Sequence, residues 1–76
     1  MSFIKYLNFN NEQVIVNYPQ NTTRIHLNDK NIKCILDIHD LLNLQFLDLG
    51  FNQIEFINGL NTLPHLQDLY LMIRSH

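Results

Sequence analysis

His26 and Asp48 are the first residues to weigh for chemistry, because an imidazole beside a carboxylate is the pairing on which much acid–base and nucleophilic catalysis is built. They are 22 positions apart, since 48 − 26 = 22, so they become neighbours only if the chain repeats its fold between them. A His next to an Asp on adjacent strands is also an ordinary cross-strand pair. Catalysis would need a nucleophile aligned with both, and the two serines, Ser2 and Ser75, stand at the ends of the chain. The four histidines, His26, His39, His65 and His76, show no ligand spacing with Cys34 or with a carboxylate cluster. The chain is therefore read as a non-enzyme, with no catalytic, cofactor-binding or metal residues and no cofactor.

Charge narrows the partners. The formal net charge is −2, and Lys5, Arg24, Lys30, Lys33 and Arg74 are too scattered to build the basic face that a nucleic acid demands. Met1-Ser2-Phe3-Ile4-Lys5 does not start a signal peptide, and no apolar run approaches the ~20 residues that span a bilayer. The single cysteine, Cys34, has no partner for an internal disulfide, which favours a reducing compartment. The expectation is a cytoplasmic chain that binds neither nucleic acid nor membrane.

Stepping through the aliphatic residues gives the organisation that His26 and Asp48 need. Leu44, Leu47, Leu49, Asn52, Ile54, Ile57, Leu60 and Leu63 form a pattern that returns at Leu66, Leu69 and Leu71, a shift of 69 − 47 = 22. The same shift backwards meets Ile25, Leu27, Ile32, Ile35, Ile38 and Leu41, and only Thr22 breaks the series. In Leu47-Asp48-Leu49 the period of 2 sends both leucines to one face, as in a strand. From Ile54 to Leu66 the interval is 3, which fits one edge of a tight helical or 3₁₀ segment. One strand and one tight segment cannot bury their apolar sides alone, whereas stacked copies cover each other. Asn52, placed where the strand turns away, is a structural residue able to bond both amides and carbonyls of the adjoining backbone. Its counterparts Lys30 and Arg74 lack a side-chain acceptor, so the first and last turns are expected to be differently satisfied, with Asn31 a substitute one residue late.

The spacing L-x-x-L-x-L-x-x-N-x-I resembles the leucine-rich repeat family. The continuation I-x-x-I-x-x-L-x-x-L-x-x-L, at Ile32 to Leu44 and Ile54 to Leu66, resembles the 22-residue subclass typified by regulatory subunits of type 1 protein phosphatase. The resemblance covers about Pro19 to Met72. It implies an α/β solenoid: a short leucine-rich repeat horseshoe segment with a parallel concave sheet and a 3₁₀ or irregular convex side. The cysteine-paired caps of extracellular members are absent from the sequence. In this family the concave sheet is the usual contact surface. The resemblance thus implies a protein-binding face made of Arg24, His26, Phe46, Asp48, Phe51, Asp68 and Tyr70, with Phe46, Phe51 and Tyr70 as anchors because exposed aromatics dominate interface energetics.

Residues 1–21 read as an N-terminal cap or a degenerate repeat. Phe3 to Phe9 and Gln13 to Tyr18 are strand-like around the polar turn Asn10-Asn11-Glu12, and they form either a capping hairpin or a shortened repeat in which Leu7, Phe9 and Val14 echo Leu47, Leu49 and Ile54. The second reading is favoured. Residues 22–76 hold the repeats, divided as 22–43, 44–65 and a partial 66–76. Leu69 to Ile73 is an apolar strand with no tight segment after it, a possible route to self-association through an open edge. The function expected is a non-enzymatic protein–protein interaction module. The alternatives are a truncated or decaying repeat protein and a phosphatase-regulator-like fragment.

Overall fold

Alternation decides the first eighteen residues. The computed structural model describes residues 1–71, and in strand β1 (Ser2–Asn8) Ser2, Ile4 and Tyr6 are buried while Phe3, Lys5 and Leu7 are only half-buried. Strand β2 (Gln13–Tyr18) pairs antiparallel with β1, Ile4 facing Val16 and Tyr6 facing Val14. Asn8 shapes the turn between them: its Oδ1 accepts the amides of Asn10 and Glu12, and Asn11 takes the left-handed conformation that Asn tolerates well. The segment is thus a hairpin and not the degenerate repeat that the echo of Leu47, Leu49 and Ile54 favoured. Val14 lies antiparallel to β1, because the polar turn folds β2 back along its neighbour.

Three short strands, β3 (Arg24–His26), β5 (Phe46–Asp48) and β7 (Asp68–Tyr70), make a parallel sheet in the order β3-β5-β7. Arg24 lies beside Phe46 and Phe46 beside Asp68, so every step across the sheet is one period of the sequence. The hydrogen bonds repeat with it: the Leu27 amide donates to the Asp48 carbonyl at 2.8 Å and the Leu49 amide to the Tyr70 carbonyl at 2.9 Å. Ile25, Leu47 and Leu49 point into the core from this sheet.

The other side of the core departs from the expected 3₁₀ or irregular convex side at its first repeat. Ile32–His39 is an eight-residue strand, β4, antiparallel to β1, and Phe56–Ile57 is a two-residue strand, β6, parallel to β4. The second sheet therefore runs β2-β1-β4-β6. Ile32, Ile35 and Ile38 all face the core despite their spacing of 3, because the pairing with β1 slips twice. Tyr6 lies opposite Ile35 while Lys5 lies opposite Asp37, and Asn8 lies opposite Ile32 while Leu7 lies opposite Cys34. Each slip is a β-bulge that inserts one residue, Leu36 or Lys33, and so turns the strand's natural period of 2 into 3. The helical component of the expected α/β architecture shrinks to one 3₁₀ turn, Leu60–Thr62, among the described residues. That turn follows Gly59, whose φ of 97° suits glycine and whose missing Cβ would sit 3.0 Å from the Ile38 nitrogen.

The core between the sheets is aliphatic, with Ile4, Ile25, Ile32, Ile35, Leu44 and Leu47 all essentially inaccessible. Cys34 is 3% exposed, since β1 and β6 flank it with Leu7 and Phe56 in register. Two polar residues, Ser2 and Asn52, are buried with it, Asn52 at 4% exposed. Its Oδ1 accepts the amides of Lys30 at 2.9 Å and Ile32 at 3.1 Å, and its Nδ2 donates to the carbonyls of Leu27, Leu49 and Gly50. The turn at Lys30 is satisfied from this neighbour. Asn31 is exposed and offers its backbone carbonyl to the Phe9 amide at 3.1 Å. Arg74, with the rest of the stretch beyond Leu71, lies outside the described residues.

Two outcomes follow. Asn52→Ala removes the partner of the Lys30 and Ile32 amides and of the Leu27 and Leu49 carbonyls, while the Gly50 carbonyl keeps the Asp29 amide, and urea unfolding should show a loss of about 3 kcal/mol or more, a fall of roughly 15 °C in melting temperature. Burial, with the neighbouring Tyr6 second, pushes the Tyr18 hydroxyl up to about 12. The folded chain then holds this proton more tightly than the unfolded one, so the stabilisation is complete below about pH 10 and is lost as pH rises from there through about 12. Urea midpoints should fall across that window, and Tyr18→Phe should flatten the fall.

Candidate functional site

The outer face of the β3-β5-β7 sheet gathers most of the residues singled out by spacing. Because side chains alternate along each strand, Arg24, Phe46 and Asp68 form one row and His26, Asp48 and Tyr70 the next. The inward positions between them are Ile25, Leu47 and Leu69, so core packing fixes which side chains face out.

Phe46 is the hub of this face. The Arg24 guanidinium lies 4.1 Å from its ring centroid, the His26 ring is 5.1 Å away at 49°, and the Tyr70 ring is 5.3 Å away at 52°. These are the tilted aromatic and cation–ring geometries that ring quadrupoles favour. Asp48 links the second row. Its Oδ1 accepts the Gly50 amide at 2.9 Å, and its Oδ2 is 3.6 Å from His26 Nδ1, an ionic contact whenever the imidazole is protonated. The His26 side chain is 56% exposed and that of Asp48 only 25%.

Phe51 stands just past β5 with a φ of 56°, and its ring closes a shallow depression of about 270 Å³ whose other walls are Phe46, Asp48, Gly50 and Tyr70. Asp68 is exposed next to Phe46 in register and does not line this depression. Thus Arg24, His26, Phe46, Asp48, Phe51 and Tyr70 converge, and Asp68 sits at the margin. Met72 and Ile73, one period of 22 after Gly50 and Phe51, lie outside the described residues.

Two features of the surface escaped the sequence reading. A more polar groove of about 430 Å³ runs along the strand-end turns between Phe9, Lys30, Asn31 and Phe51. Phe9 comes to it from the hairpin, its amide held by the Asn31 carbonyl, and an exposed aromatic beside a polar turn was the only local signal. An apolar depression of about 290 Å³ lies between Leu49, Ile54, Ile57, Leu60 and Leu71, at the edge where β6 and β7 end their sheets.

The arrangement offers little for catalysis. The Ser2 hydroxyl is buried in the opposite sheet, donating to the Asp40 carbonyl at 2.8 Å, and Thr22 and Thr62 donate to the carbonyls of Pro19 and Gly59. Among the described residues no three His, Cys, Asp or Glu side chains are grouped to hold a metal ion. No helix among them is long and apolar enough to cross a membrane.

Residues 42–76 match the family model of leucine-rich repeats in two copies. The match supports a leucine-rich repeat family for this chain. The strand-rich architecture, with its parallel sheet and almost no helix, fits a small fold of that kind. No curated protein and no solved structure matches the chain. Leucine-rich repeats are in general non-enzymatic modules that mediate protein–protein interaction, and the proteins that carry them typically bind other proteins.

The contact between Arg24 and Phe46 is open to direct measurement. A double-mutant cycle with Arg24→Met and Phe46→Leu, read by urea unfolding, should give a coupling of about 0.5–1 kcal/mol. A coupling near zero would mean that the stacked guanidinium adds nothing to stability.

Proposed function

We propose that the chain is a non-enzymatic binding module that docks a protein partner on the outer, concave face of its parallel sheet. The observation that carries this is the clustering of Arg24, His26, Phe46 and Tyr70 around one ring, on a face whose opposite side is locked into the core. Tyr70 is 52% exposed and Phe51 48% exposed. Large side chains held this openly on short, rigid strands need little further ordering on binding, which favours affinity. Arg24, Asp48, Phe51 and Asp68 complete the face. Its polar groups Arg24 and Asp48 are engaged in packing and turn formation, which supports binding.

The one-period register across every parallel pair supports the 22-residue subclass for these repeats. That comparison concerns the geometry of the turn and assigns no phosphatase partner. We place the chain in the cytoplasm, where a buried, unpaired Cys34 stays reduced, with neither nucleic acid nor membrane as a partner. The division at residues 21 and 22 assigns the hairpin the role of a cap, since Ile4, Tyr6, Val14 and Val16 lie against the first repeat. Self-association through the β7 edge is a secondary property of the same scaffold, open to sedimentation analysis.

The test pairs a display-selected partner with purified variants. Phe46→Ala and Tyr70→Ala should each weaken binding by at least about tenfold, and Ile15→Ala, on the exposed hairpin, should leave it unchanged. If Ile15→Ala does the damage and the other two do not, the binding face lies on the opposite sheet.

A further inference from the structure

We propose that the depression beside Phe46 receives the guanidinium group of an arginine side chain presented by the protein partner. This rests on the binding-face reading and specifies what that face takes. Three rings surround the space: Phe46 and Tyr70, 5.3 Å apart and inclined at 52°, with Phe51 across from them. Ring faces attract cations, most strongly where water is displaced. The fold already shows the interaction once, since the Arg24 guanidinium stacks 4.1 Å from the Phe46 centroid.

The carboxylate supplies the selectivity. Asp48 lines the depression, its Oδ1 held by the Gly50 amide and its Oδ2 beyond hydrogen-bond range of His26 at 3.6 Å. A planar donor entering between the rings meets this acceptor. No cationic side chain lines the depression among the described residues. Around the Phe46 ring two carboxylates, Asp48 and the exposed Asp68, stand against the single guanidinium of Arg24, and the chain's formal net charge is −2, so the balance of charge favours a cation. An apolar occupant would cover Asp48 without pairing it, and a phosphate would be repelled by it.

Phe51 adds an independent sign that the depression is built. Among the described residues the non-glycine positions with positive φ are Asn11, Asp29, Asn31, Asp40 and Phe51, and of these Phe51 alone lacks a short polar side chain. Its counterpart one repeat earlier, Asp29, has nearly the same φ, 55° against 56°, so the turn imposes the conformation on whatever residue stands there. An aromatic at that position is strained, and backbone strain of this sort collects at ligand-binding positions. Here the strained position holds one wall of the depression.

The experiment is a backbone amide NMR titration of the folded chain with N-acetyl-arginine amide, run beside N-acetyl-citrulline amide, which keeps the shape and loses the charge. Arginine should shift the Asp48, Gly50, Phe51 and Tyr70 amides, and citrulline should bind at least about fivefold more weakly. Asp48→Asn should remove that preference. Phe51→Asn should raise the thermal midpoint, because Asn accepts the left-handed turn, while weakening arginine binding; this separates a lost wall from a lost fold. Equal binding of citrulline, shifts centred elsewhere, or full binding by Phe51→Asn would each overturn the guanidinium assignment. Those outcomes leave the binding-face reading standing, which falls only on the comparison of Phe46→Ala and Tyr70→Ala with Ile15→Ala.

Discussion

The side-chain amide of Asn52 holds two successive turns of the chain at one spacing. It accepts from the amides of Lys30 and Ile32 in the earlier turn and donates to carbonyls in both, all from a position closed to water. Without it those amides and the Leu27 and Leu49 carbonyls would be buried and unpaired, and the polypeptide would have to open the core to hydrate them. The parallel register of β3 and β5 agrees with that spacing, because both strands run into these turns at matching heights. The outer face in turn depends on the register: Arg24 reaches Phe46, and Phe46 reaches Tyr70, only when the strands stand one period apart.

The two sheets solve the same problem of burying aliphatic residues by different means. The parallel sheet uses plain alternation, with Ile25, Leu47 and Leu69 inward and charged or aromatic residues outward. The opposite sheet has residues spaced by 3 and brings them inward by bulging β4 twice against β1. The hairpin makes this possible, since β1 supplies a ladder of hydrogen bonds on which β4 can stay extended. In the next repeat β6 pairs with β4 for two residues only, and the chain passes to a 3₁₀ turn at Leu60–Thr62. One sequence spacing thus becomes a bulged strand or a tight turn according to whether a partner strand lies alongside.

Much of the outer face of the parallel sheet was legible from the period alone. Once the 22-residue shift is fixed, His26, Asp48 and Tyr70 must be neighbours, and alternation against Leu47 and Leu49 puts them on the outside. The contacts themselves were not legible. That Arg24 lies over Phe46, or that Phe51 swings across Gly50 to close a depression, depends on rotamers and on a left-handed backbone at residue 51, and pattern spacing carries neither. Phe9 was missed for a related reason: it joins the strand-end groove from the hairpin, and no repeat relation connects it to Phe51.

The sequence by itself determined the period, the inward aliphatic set, the need for Asn52 at a turn, and the rows of residues on the parallel sheet. Each is a local or periodic property, dictated by which side of a strand a residue faces and by the cost of burying unpaired backbone groups. Only the tertiary structure decided that residues 2–18 form a hairpin, that Ile32–His39 is a bulged strand, and that the outer face carries an aromatic depression with a carboxylate in its wall. Spacings of 3 are compatible with more than one backbone path. The path taken depends on a hydrogen-bonding partner, β1, whose arrival beside β4 is a matter of how distant parts of the chain pack together.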